Sequence, residues 1–182
     1  MFSLTMIEDF FKTAANLKNI SRQGWIDKLS LNNPESVADH TFSMTVIGMV
    51  ISDLENLNSE KVLKMILLHD LAESKIGDIV PDQMSIEEKQ RLENSAFDEI
   101  IKTLPESIMS NYVEIWKEYQ KNTTSESQIV HQIDKLEMAL QAKIYQSQGH
   151  SKEKLEPFFE SAKSSMVHPK LKELFTQIVD EK

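Results

Sequence analysis

Residues 67–81 read LLHDLAESKIGDIVP, an apolar run that carries His69, Asp70, Glu73 and Asp78. An imidazole followed at once by a carboxylate, with a second carboxylate one helical turn later, has the means to ligate a metal ion and to move a proton. Two more ionisable residues fall on faces that are otherwise apolar. His40 lies in the stripe Val37, Met44, Ile47, Ile51, and Asp134 lies in the row Val130, Met138 beside Ile129, Ile133, Leu136 and Leu140. The helix ending at Asp70 is apolar nearly all round, so the 3.6-residue period turns His40, His69, Asp70 and Asp134 inward from three helices. Taken singly, each reads as a core histidine bonded to a carbonyl or an aspartate capping a neighbour. Taken together they are two imidazoles and two carboxylates out of water, which costs several kcal/mol unless something compensates them. A divalent metal ion compensates all four, because it accepts neutral imidazole nitrogen and carboxylate oxygen together, and such a ligand set suits Mn, Co, Ni, Fe or Zn.

The elements that must position these residues are helices. The pattern predicts an amphipathic helix over 4–18, an irregular stretch over 19–33, and a helix that starts at Asn33–Pro34 and runs to Leu54. The next starts at Asn58 or Ser59 and fades near Lys75, before Gly77. Ser85 and Glu88 form a capping-box pattern for a helix from 86 to about 104, and Pro105 opens one to about Lys121. A long helix over 125–148 and shorter ones over 151–166 and 169–181 complete the chain. With no repeat, linker or low-complexity tract, residues 1–182 read as one all-α domain.

Composition narrows the function. Of 182 residues, 27% are charged, and a net charge of −9 with no basic run argues against a nucleic-acid polymer as partner. A small phosphorylated ligand stays compatible with it, since one local cluster or a metal outweighs the global sign. The absence of cysteine excludes disulfides, thiolate zinc sites and cysteine nucleophiles. Four glycines leave no phosphate-binding glycine loop. Glu8 and Asp9 interrupt any signal-peptide core, and no stretch approaches the roughly 18 apolar residues of a membrane span. The expectation is a soluble, cytoplasmic protein without a membrane partner.

The order H…HD…D at His40, His69-Asp70 and Asp134 resembles the signature of the HD-domain metal-dependent phosphohydrolases. The segments RQGW, PESVADHTFSM, LLHDLAESKIGDIVP and QIDKLEMALQA are similar, in that order, to those of the HD-domain 5′-deoxynucleotidases, over about residues 5–175. The resemblance implies an HD-domain helical bundle, with a signature core over about 20–148 on which helices 151–181 pack. It implies that His40, His69, Asp70 and Asp134 hold the metal, that Glu73 is catalytic, and that Asp78 is catalytic or binds substrate. It also implies that Glu73, Asp78 and the backbone carbonyl of Ile79 hold a second divalent cation such as Mg. Arg22 and Trp25 match the residues that orient the phosphate and shape the sugar pocket, in an R-x-G-W spacing. The substrate implied is a deoxyribonucleoside 5′-monophosphate, and the assembly a homodimer. Against this stand a phosphohydrolase of another small phosphoester and a non-catalytic nucleotide-binding protein. His131 reads as a surface histidine, and His150 and His168 as solvated caps.

Overall fold

The computed structural model describes residues 4–80 and 83–180. Pro81 of the quoted motif and Glu181, the expected end of the last helix, lie outside them. The elements are α1 (Leu4–Asn16), a 3-10 turn (Leu17–Asn19), α2 (Gln23–Leu29), α3 (Val37–Leu54), α4 (Ser59–His69), α5 (Glu73–Ile76), α6 (Ile86–Ile101), α7 (Glu106–Lys121), α8 (Ser125–Ser147), α9 (Lys152–Ser165) and α10 (Pro169–Asp180). Among the described residues there is no strand, and the architecture is all-α, as the periodicity implies.

Helix α8 is the axis of the bundle. Its inward rows Val130, Ile133, Leu136 and Ala139 are buried, and α3, α4, α7, α9 and α10 pack around it. Helix α3 crosses α4 at Gly48, whose missing side chain makes the approach possible: a Cβ there would lie 2.3 Å from Cδ1 of Ile66.

The largest departures from the sequence reading lie around α2, α3 and α4. The stretch over 19–33 contains α2, a helix of seven residues. Helix α3 starts at Val37, not at Pro34, because Ser36 and Asp39 close a reciprocal capping box. The freed residues pair with the chain before α2 through Arg22 N–H to Glu35 O (3.0 Å) and Val37 N–H to Ile20 O (2.8 Å). The helix expected to run to Lys75 stops at His69. The His69 ring donates from Nδ1 to the carbonyl of Ile66 (2.6 Å), the acceptor that the Asp70 N–H would need in a continuing α-helix. Asp70 turns to φ −109°, ψ 12°, and α5 restarts at Glu73.

Candidate metal centre

His40 from the first turns of α3, His69 and Asp70 from the end of α4, and Asp134 from the middle of α8 meet at one point. The two imidazole rings lie 5.6 Å apart. His40 Nε2 is 3.3 Å from Asp134 Oδ1 and 3.9 Å from Asp70 Oδ2, and His69 Nε2 is 3.0 Å from Asp70 Oδ2. Donor atoms of His40, His69 and Asp134 all lie within 4.8 Å of one another.

The outer nitrogen of each ring fixes its tautomer. His69 Nδ1 faces the Ile66 carbonyl, which can only accept, so that nitrogen carries the proton. His40 Nδ1 faces Glu137 Oε2 at 2.5 Å, deep in the core. Both Nε2 atoms are buried and have no hydrogen-bond partner. Two orphaned imidazole nitrogens, each oriented by a bond on the far side of its ring and each facing a carboxylate, are a donor set for a divalent metal ion.

The electrostatics match. Burial works to raise the carboxyls of Asp70 and Asp134, yet both are held below the usual range, Asp70 by His69, Arg22 and His40, and Asp134 by Lys135, His40 and Arg22. Burial pulls the His40 imidazole down, but Asp134 and Glu137 outweigh it and lift it to about 9. Glu73, 3% exposed, goes the other way: burial and the charges of Asp70 and Asp78 push its carboxyl well above the usual range. Its Oε2 has no partner.

Arg22 Nη1 lies 3.4 Å from Asp70 Oδ2. Asp78 approaches from the α5–α6 loop, where its Oδ2 accepts from the Gln23 N–H at 2.7 Å and so anchors the start of α2 next to Arg22. Trp25 is packed rather than open, with its ring against Phe158 and Tyr145, and its Nε1–H donates to Glu35 Oε1 at 2.8 Å. Ile79 directs its carbonyl to Lys89 Nζ (2.7 Å).

Glu137, Glu35 and Lys135 were not singled out by the sequence. Glu137 had a legible signal, a carboxylate on the buried row of Val130 and Ile133; it is 2% exposed. Burial, and next the charge of Glu137, raise the Glu35 carboxyl to about 7. Lys135 Nζ lies 2.9 Å from Asp134 Oδ2. His131 is half-buried, not a surface histidine: its ring stacks on Tyr119 at 4.2 Å and Nε2 donates to the Tyr119 carbonyl.

An all-α bundle that brings H, HD and D from three helices to one point defines a class, and the HD domain profile matches residues 14–175; the chain belongs to that family. Among curated proteins it is 36% identical over 174 residues to the human 5′-deoxynucleotidase HDDC2, covering 95% of this chain and 84% of that one. It is 37% identical over 185 residues to the Dictyostelium discoideum protein of the same name, covering 96% and 97%. A crystal structure of a Pyrococcus horikoshii protein superposes with a TM-score of 0.77 at 32% identity, covering 94% of this chain and 97% of that one.

Proposed function

We propose that the chain is a metal-dependent 5′-deoxynucleotidase that hydrolyses deoxyribonucleoside 5′-monophosphates to deoxyribonucleosides and phosphate. The observation that carries the reading is the pair of buried, partnerless Nε2 atoms facing Asp70 and Asp134; the relatives' names supply the substrate class. His40, His69, Asp70 and Asp134 hold one divalent ion. When bound, that ion neutralises phosphate charge and acidifies a water.

The chain's own residues do the rest. Arg22, half-buried and kept charged against desolvation by Asp70, Asp78 and Asp134, presents forked donors to the phosphate oxygens. Water's oxygen bonds to phosphorus as the P–O5′ bond breaks, and the leaving 5′-oxygen needs a proton. Glu73, whose carboxyl is pushed up by burial, holds one to give. Asp78 supports the step by fixing the α2 start that carries Arg22. Trp25 shapes the sugar pocket from behind, by holding Glu35.

Phosphate release from matched deoxyribo- and ribonucleoside monophosphates, with Mn, Co, Ni, Fe, Zn and Mg added singly to the stripped protein, tests the reading. Metal-dependent release that favours the deoxy substrate is expected. Equal rates on dAMP and AMP would make the protein a general phosphomonoesterase, and no release with any metal would leave a binding protein.

A cytoplasmic homodimer is the setting we propose, in keeping with the absence of any described helix long and apolar enough to cross a membrane. Phe42, Val46, Met49 and Val50 form one exposed apolar face of α3, which suits a contact between two copies. Light scattering should give twice the chain mass for the parent and the single mass for Val46→Glu; a monomeric parent sinks the dimer.

A further inference from the structure

Of the three groups that the resemblance assigns to a second cation, two already accept a hydrogen bond. The Ile79 oxygen accepts from Lys89 Nζ at 2.7 Å. Asp78 Oδ2 accepts from the Gln23 amide at 2.7 Å. Glu73 contributes a buried oxygen without a partner.

A magnesium ion on the Ile79 oxygen would sit about 2.0–2.1 Å from it. The Lys89 ammonium is already 2.7 Å from the same atom, so the two cations would lie within about 5 Å of each other and repel. A second divalent ion on that oxygen would have to sit against the Lys89 ammonium or displace it.

We propose that Lys89 is the chain's own second cation: its ammonium, fixed on the Ile79 carbonyl, stands in for a second divalent ion and limits the protein to one metal ion. The inference rests on the metal-centre reading given above.

Local structure accounts for the lysine's position. Ser85 caps α6, and Lys89 sits one turn in, its amide bonded to the Ser85 carbonyl at 3.0 Å. Gly77, at φ +78°, turns the chain after α5, and the buried Ile79 then aims its carbonyl at α6. Glu93, one turn further along α6, places Oε1 3.5 Å from the ammonium. The consequence runs back to the phosphate clamp. Lys89 fixes Ile79, the adjacent Asp78 fixes the Gln23 amide, and the residue before Gln23 is Arg22. A lysine in this role supplies a cation that no chelator removes.

Equilibrium dialysis of the stripped protein against saturating Mn²⁺, then against Mg²⁺, with bound ions counted by mass spectrometry, tests the proposal. One ion per chain is expected for the parent and for Lys89→Arg. Lys89→Met, which keeps the stem and drops the charge, should bind two, and Lys89→Gln serves in its place should the Met variant lose its circular dichroism. Two ions in the parent, or one in both folded neutral variants, would overturn the role of Lys89. Asp70→Ala separates this from the centre itself: a parent ion that survives that substitution sits elsewhere and removes the metal-centre reading, and an ion-free parent removes both.

Discussion

At the scale of single residues, Asp70 and Glu73 stand three positions apart and behave oppositely. Asp70 is held ionised by its cationic neighbours, Glu73 is held protonated by burial and by the carboxylates around it. Their variants should therefore fail differently. Asp70→Ala removes a ligand and uncovers Arg22 and His69, so we expect loss of bound metal, loss of phosphate release, and an ion-free chain less stable by about 1–3 kcal/mol with helical signal intact. The sign follows from the lowered carboxyl: its contribution is present above the ordinary carboxylate range and fades as pH falls below it. Glu73→Gln leaves all four ligands in place. It should keep its metal, bind substrate and turn over about 10²–10⁴-fold more slowly. Metal content and kcat measured on both variants check the contrast; full activity in metal-loaded Asp70→Ala would sink the ligand assignment.

At the scale of elements, the α3–α4 crossing carries two of the ligands and depends on Gly48. An alanine there gains about 1 kcal/mol of helix propensity, but its Cβ meets the fully buried Ile66 Cδ1, and overpacking costs about 1–3 kcal/mol. We expect Gly48→Ala to lose about 1 kcal/mol in urea unfolding. Ile66→Val deletes the offending Cδ1 at about 0.5–1.5 kcal/mol by itself, so the double variant should cost less than the sum. Additive costs would mean the helices separate instead of repacking. Ile66 also holds His69 through its carbonyl, so Gly48→Ala should weaken metal binding as well. This scale also shows what sequence reasoning reaches. Long helices with a steady apolar stripe, such as α3 and α8, were legible with their inward His40 and Asp134. Helix α2 was not, being seven residues that include Gly24 and rest on pairing with residues 35–37. The stop at Asp70 was hidden because a side chain, not the apolar period, takes the Ile66 carbonyl. Glu137 was legible from its place on the row of Val130 and Ile133, whereas Lys89 meets Ile79 across a turn that no period reports.

At the scale of the whole molecule, a chain of net charge −9 gathers its buried acids around one point and holds a proton there when no metal is bound. Burial pulls the His40 imidazole down, and the carboxylates of Asp134 and Glu137 more than reverse it, to about 9. Since Nδ1–H is committed to Glu137, the extra proton sits on Nε2, the atom that would bind the ion. Metal and proton therefore compete for one lone pair. A raised imidazole stabilises the ion-free fold fully below its ordinary value near 6.5 and loses that contribution as pH rises through about 9. Over the same window metal affinity should climb, by about tenfold per pH unit while His40 remains protonated. Titration calorimetry at pH 7 in two buffers of different ionisation enthalpy should report release of about one proton per ion bound, and His40→Ala should abolish both that release and tight binding. Zero proton release by the parent, or an affinity flat between about pH 6.5 and pH 9, would mean that His40 is neutral before the metal arrives and that the surrounding carboxylates do not govern it.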